Sequence, residues 1–209
     1  GSISICNGTS PLDWESVALI AEKSKSHVVP YFGVHPWYVE NLSDGWLETL
    51  KFYLEKYKTG MGEIGLDRAY SSDTVYMLQK EIFSAQMDLA FSLDLPVSIH
   101  CFRSWGFLLE VLNKKISHGF AKTIPVMIHS FSGSMETMEE LVSKGIYISF
   151  SPFLTSRNAE KLKNIFLKTP IEKILIESDF VYNNKNSPMK QISDYYEEQL
   201  SLYRIGSKL

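Results

Sequence analysis

The feature that most constrains this chain is its alternation. Short, unbroken apolar runs recur between longer stretches with helical periodicity. The runs fall at Ile3–Asn7, Val28–His35, Gly60–Leu66, Pro96–Cys101, Pro125–Ser130, Tyr147–Ser151 and Lys173–Asp179. Most are continuously apolar rather than alternating with polar residues, the pattern of strands covered on both faces in a parallel sheet. Helix signals lie between them. Ser10-Pro11 with Asp13 reads as a cap, a first-turn proline and a capping-box acid ahead of Trp14, Val17 and Ile20. Asp73 opens a long stripe through Val75, Leu78, Ile82, Ala85 and Leu89. Ser134 caps Met138, Leu141 and Val142, with Gly145 just past the end. Leu162, Ile165 and Phe166 form a shorter stripe closed by Pro170, and Ser187-Pro188 starts a last helix through Ile192, Tyr196 and Leu200.

Such alternation produces either a doubly wound open sheet or a (β/α)8 barrel. Neither the dinucleotide-binding pattern G-x-G-x-x-G nor the phosphate-loop pattern G-x-x-x-x-G-K-[ST] occurs. Polar residues gather instead at the ends of several strands, where barrel active sites are built. The expectation is therefore an α/β fold, a TIM-type (β/α)8 barrel with about seven of its eight strands present. No linker or repeat interrupts residues 1–209, which read as a single domain. The chain's 209 residues are short for a barrel of roughly 250. A barrel missing one strand would expose two edges of unpaired backbone.

A net charge of −3 excludes a surface coated in basic residues for duplex binding, so nucleic acid would have to be held by a local patch or a metal. No run of eighteen apolar residues occurs, which excludes a membrane-spanning helix, and no basic segment leads into an apolar stretch at the N-terminus. Two cysteines, Cys6 and Cys101, cannot form a disulfide framework. A cytoplasmic monomer without an obligate protein partner is expected. Gly1-Ser2 reads as the scar of a removed tag.

Five strand ends carry polar residues that a core would not tolerate alone. They are Gly33-Val34-His35-Pro36-Trp37, Gly62-Glu63-Ile64-Gly65-Leu66-Asp67, Ser98-Ile99-His100-Cys101-Phe102-Arg103, Ile128-His129-Ser130-Phe131-Ser132-Gly133 and Ile176-Glu177-Ser178-Asp179. Each buried imidazole or carboxylate needs a hydrogen bond, a counter-charge or a metal. In a barrel, Glu63, His100, His129 and Asp179 would ring one cavity as a shell for a divalent ion. Imidazole suits zinc and carboxylate suits magnesium or manganese, so the donor types leave the metal open. The absence of cysteine from the set excludes a closed structural zinc site. Asp179 is placed to ligate an ion and to accept a proton from water. Glu177 either ligates or pairs with a base. Arg103 offers a forked phosphate clamp against the alternative of a structural ion pair. Cys6 and Cys101 read as packing residues, and His27 and His118 as solvated ones.

Taken in order, Gly33-Val34-His35-Pro36, Gly62 through Asp67, Ile99-His100 with Arg103, His129 through Gly133 and Glu177-Ser178-Asp179 resemble the successive signatures of TatD-type metal-dependent deoxyribonucleases. The resemblance runs from about Ile3 to about Leu200. It implies an amidohydrolase-like (β/α)8 barrel and a nuclease using up to two divalent ions, magnesium foremost with manganese or zinc as alternatives. Several members trim DNA from the 3′ end, so DNA or another nucleic acid is the implied partner. By resemblance Glu63 bridges the metals, His100 and His129 ligate the second, and Asp179 holds the other and activates water, making Glu63 and Asp179 the catalytic pair. His35 and Arg103 match positions near the substrate phosphate. Three departures accompany the match. Phe180-Val181 precede Tyr182 where the family has a small residue and proline. The first family strand, ending in His-x-His with two ligands, has no counterpart. The chain also stops at Ile205–Leu209, short of a further helix. It is therefore expected to be truncated or divergent, with one metal site weakened. The alternatives to a deoxyribonuclease are a hydrolase of esters or amides, such as a misacylated tRNA or a small metabolite, and a catalytically impaired barrel.

Overall fold

Seven strands and six α-helices alternate along the described residues of the computed structural model, which are 3–24, 27–69, 71–117 and 124–179. They belong to two compact units, one ending at Ile128 and the other beginning at His129. The first holds β1 (Ser4–Gly8), α1 (Trp14–Lys23), β2 (Val28–Phe32), α2 (Trp46–Tyr57), β3 (Gly60–Asp67), α3 (Asp73–Ser92), β4 (Val97–Phe102) and α4 (Trp105–Ser117). β5 (Val126–His129) contributes Val126–Ile128 to the first unit and His129 to the second. The second holds α5 (Met135–Ser143), β6 (Tyr147–Phe150), α6 (Glu160–Lys168) and β7 (Ile174–Ile176).

In the first unit the strands lie side by side in chain order, with β1–β2, β2–β3 and β3–β4 parallel. In the second, β6 pairs with β7 in parallel from Ile148–Ile174 to Phe150–Ile176. A parallel pair needs a crossover between its strands, and the intervening helices supply it. This is the strand–helix repeat of a TIM-type barrel, and the seven strands agree with the expected count. Among the described residues β1 is the outermost strand of its unit, and Ile5 on it stands 50% exposed. None of the described helices is long and apolar enough to cross a membrane.

Local chemistry explains most boundaries. Ser72 and Ser134 accept from Val75 N–H and Thr137 N–H and so cap α3 and α5. α1 starts at Trp14, one turn past Ser10, while the Asp13 carboxylate reaches back to Ser10 N–H as the expected capping-box acid and takes Thr9 as well. It accepts from Thr9 N–H at 3.0 Å, Thr9 Oγ1 at 2.7 Å and Ser10 N–H at 3.2 Å. α2 carries no cap motif, since Gly45 precedes it without a side-chain acceptor, and burial of Leu50 and Leu54 holds it instead. The expected last helix from Ser187, with Tyr182 and His118, lies outside the described residues.

α3 also positions the strand ends. It buries Ile82, Phe83, Met87 and Ala90, and among them two glutamines. Gln86 accepts from Val34 N–H at 2.7 Å and donates to Val34 C=O at 3.1 Å. Gln79 accepts from Asp67 N–H at 2.9 Å and donates to Pro36 C=O at 3.2 Å. Backbone that leaves a sheet loses its ladder partners, and here the two amides replace them. Gln86→Leu would strand both polar groups of Val34 and is expected to cost about 2–4 kcal/mol, read as a lower urea midpoint at unchanged slope. An unshifted midpoint would refute that role.

Candidate metal-binding groups

The first unit brings His35, Glu63 and His100 together, with ligand atoms within 4.8 Å of one another. Glu63 sits where the β3–β4 register shifts between Met61 and Ile64. Bulges of this kind re-aim side chains beside functional sites. Its Oε1 lies 3.2 Å from His100 Nδ1 and 3.8 Å from His35 Nε2. Gly65 follows with φ +147°, and a Cβ there would lie 1.9 Å from His100 C=O, so only glycine lets the strands approach. The other nitrogen of His100, Nε2, faces Asp67 Oδ2 at 3.3 Å.

Asp67 is 2% exposed and fully engaged. Oδ2 also accepts from Trp37 Nε1–H at 2.8 Å, and Oδ1 accepts from Ala69 N–H at 3.0 Å. Burial alone would raise its pKa, but the bonds from His100, Trp37 and Ala69 outweigh it and hold the carboxyl below its ordinary value. Burial likewise opposes a charged His100, yet Asp67 and Glu63 lift its pKa to about 9. His35 differs. Its Nδ1 accepts from Trp37 N–H at 3.3 Å, which places the ring proton on Nε2, the nitrogen facing Glu63. A neutral His35 therefore offers a donor there rather than a lone pair.

The second unit brings together His129, Glu177 and Asp179. His129 Nδ1 lies 2.7 Å from Glu177 Oε2, and Nε2 lies 3.1 Å from Asp179 Oδ1. Glu177 is saturated from three sides: Ser130 N–H donates to Oε1 at 2.6 Å, and Ser149 Oγ–H donates to Oε2 at 2.8 Å beside the imidazole. Asp179 stands 44% exposed at its side chain. Ser130 and Asp179 have φ of +42° and +51°, and Arg103 at the end of β4 has +53°. Left-handed backbone costs a non-glycine residue free energy and gathers at functional sites.

Of the residues singled out from the sequence, Glu63, His35 and His100 thus meet in one unit, and His129 and Asp179 in the other. Glu177 pairs with a base, the second of its two readings. Arg103 is exposed, its guanidinium 5.5 Å from the Phe102 ring centre. Cys101 is buried, which pushes its thiol up to about 12 and fits a packing role. Asp67 received no role from sequence, although strand period two puts it on the same face as Glu63. The donors fit a divalent cation: each group sets an imidazole nitrogen against a carboxylate oxygen, with a second carboxylate holding the ring's other nitrogen, the usual support of a ligating histidine.

Three outcomes follow for protein stripped by a chelator and then reloaded. A His100 pKa of about 9, above the ordinary 6.5, stabilises the folded chain fully below about 6.5, and that share is lost as pH rises through 9. The urea midpoint of stripped protein should fall across that interval, and His100→Gln should lack the fall. Divalent-ion affinity should rise over the same interval with proton release. Glu177→Gln, which removes the charge opposite His129 Nδ1, should weaken binding by about 10- to 100-fold in a competition titration against a chromophoric chelator.

Comparison with known proteins agrees with this geometry. The profile of the family described as TatD related DNase matches residues 2–203. The chain is 28% identical over 177 residues to the human 3′-5′ RNA nuclease TATDN2, covering 83% of this chain and 23% of that protein. It is 33% identical over 150 residues to the Escherichia coli K12 uncharacterized metal-dependent hydrolase YjjV, covering 70% of this chain and 56% of that one. It thus spans under a quarter of the human relative and just over half of the bacterial one. The crystal structure of the Escherichia coli TatD homologue YjjV superposes with a TM-score of 0.76 at 26% identity, covering 95% of this chain and 77% of that one. With a family match over nearly its whole length and the strand-end groups in place, the chain belongs to the TatD family of metal-dependent hydrolases.

Proposed function

We propose that the protein is a divalent-metal-dependent phosphodiesterase that releases nucleotides from the 3′ end of single-stranded DNA. The observation that carries the reading is the repeated arrangement of one imidazole between two carboxylates, one of them held by further donors, at His100 and at His129. A divalent ion held by Glu63 and His100, or by His129 and Asp179, would polarise a phosphoryl oxygen and acidify water. Magnesium is the first candidate, with manganese and zinc behind it.

The chain's own side chains divide the remaining work. Asp179 is open to solvent and can take a proton from an attacking water. His35 Nε2–H is a donor suited to a phosphate oxygen, and Arg103 supplies a forked cation. Asp67 and Glu177 are positioning residues that fix the imidazoles. The net charge of −3 gives the chain no general attraction for nucleic acid, and a shallow salt dependence of substrate affinity would favour the ester or amide alternative over a nucleic-acid strand. Action as a cytoplasmic monomer belongs to the same proposal.

RNA is the second reading, favoured by the name of the human relative as an RNA nuclease. Single strands of DNA and RNA labelled at the 5′ end, offered to the full-length protein in magnesium, manganese or zinc, separate the two. A ladder shortening from the 3′ end is expected, slowed at least about 100-fold by Asp179→Asn. No shortening of either polymer by folded, metal-loaded protein would overturn the reading. Turnover of carboxylic esters or amides alone would move the activity to acyl substrates.

A further inference from the structure

Trp37 is 57% exposed beside the first group, its ring centre 4.9 Å from that of His35 and 6.4 Å from that of His100. Leaving so much of an indole in water forgoes the burial that usually stabilises this side chain. The ring is nonetheless fixed. Its Nε1–H donates to Asp67 Oδ2 at 2.8 Å, and its backbone N–H donates to His35 Nδ1 at 3.3 Å. Pro36 precedes it in the short 3-10 helix Pro36–Asn41. The residues leading into that helix are held by Gln79 on Pro36 C=O and by Gln86 on both polar groups of Val34. An aromatic surface that is open and already immobilised loses little conformational freedom when a flat ligand covers it.

We infer that Trp37 is the stacking platform for a nucleobase flanking the phosphate presented to Glu63 and His100, an assignment that rests on the phosphodiesterase reading. Every base has a flat π-face, so one aromatic ring accepts a strand of any sequence, whereas a phosphate anion gains nothing from the negative face of an indole. The ring is anchored through the carboxylate oxygen that also faces His100, so platform and ligand share one support. Trp37 therefore sets the substrate class. A base-bearing strand is favoured over a bare phosphodiester.

The test uses two single strands differing only at their two 3′-terminal positions, base-bearing in one and abasic in the other, with the full-length protein. Trp37→Leu should lose about tenfold more kcat/KM on the base-bearing strand than on the abasic one, mainly through KM. Trp37→Phe, which keeps a ring but not the N–H, should retain most of the discrimination. Independently of turnover and of any variant's folding, a strand carrying 5-iodouracil at its 3′ end should photocrosslink to the Trp37 peptide of the wild-type protein. Crosslinking elsewhere, or an equal loss on both strands, would overturn the platform while wild-type turnover left the phosphodiesterase reading standing. Crosslinking at Trp37 without turnover would reject the phosphodiesterase and keep the platform as a base-binding surface. Neither signal would reject both.

Discussion

An imidazole braced by a carboxylate that is itself saturated with donors is the interaction on which both candidate sites depend. It occurs twice, as Asp67 with His100 and as Glu177 with His129. A carboxylate taken out of water is costly unless its oxygens are bonded. Asp67 meets that condition with the Trp37 indole, the Ala69 amide and His100, and Glu177 with the Ser130 amide, the Ser149 hydroxyl and His129. Once those bonds are made, neither carboxylate can turn away, and the imidazole is fixed in its plane. Its remaining nitrogen then faces the other carboxylate, Glu63 or Asp179, at 3.2 or 3.1 Å.

The surrounding backbone is shaped to make these bonds. Ser130, in left-handed conformation, sends its N–H to Glu177, and the bond offsets part of the conformational cost. In the first unit the corresponding work falls to α3. Its buried glutamines satisfy Val34, Pro36 and Asp67, whose polar groups would otherwise lack partners as the chain leaves the strands. Stability and site geometry are therefore the same set of bonds here, and removing a glutamine far from any ligand should disturb both.

Much of the fold was legible because its signals are local. The apolar runs and the serine caps of α3 and α5 act within a few residues of one another. α1 begins one turn past Ser10 even though Asp13 makes the capping-box bond to Ser10 N–H. α2 has no legible start because a glycine occupies its N-cap position, and its burial of Leu50 and Leu54 depends on the folded chain. Glu63, His100, His129 and Asp179 stood out because a charged or imidazole side chain inside an apolar run is anomalous by itself. Asp67 lies one residue past the run Gly60–Leu66, where a carboxylate is unremarkable. Gln79 and Gln86 looked like ordinary polar positions of a helix, although they are almost wholly buried.

By itself the sequence determined the strand–helix alternation, the parallel class and the presence of carboxylates and imidazoles at strand ends, because each follows from residue type and short-range period. Only the tertiary structure decided which nitrogen of each ring meets which carboxylate, and that Trp37 is anchored with its surface exposed. Those choices rest on hydrogen bonds between residues 33 positions apart for His100 and Asp67 and 50 apart for His129 and Asp179. Contacts at that separation form only when packing brings the strand ends together, and they leave no periodic trace along the chain.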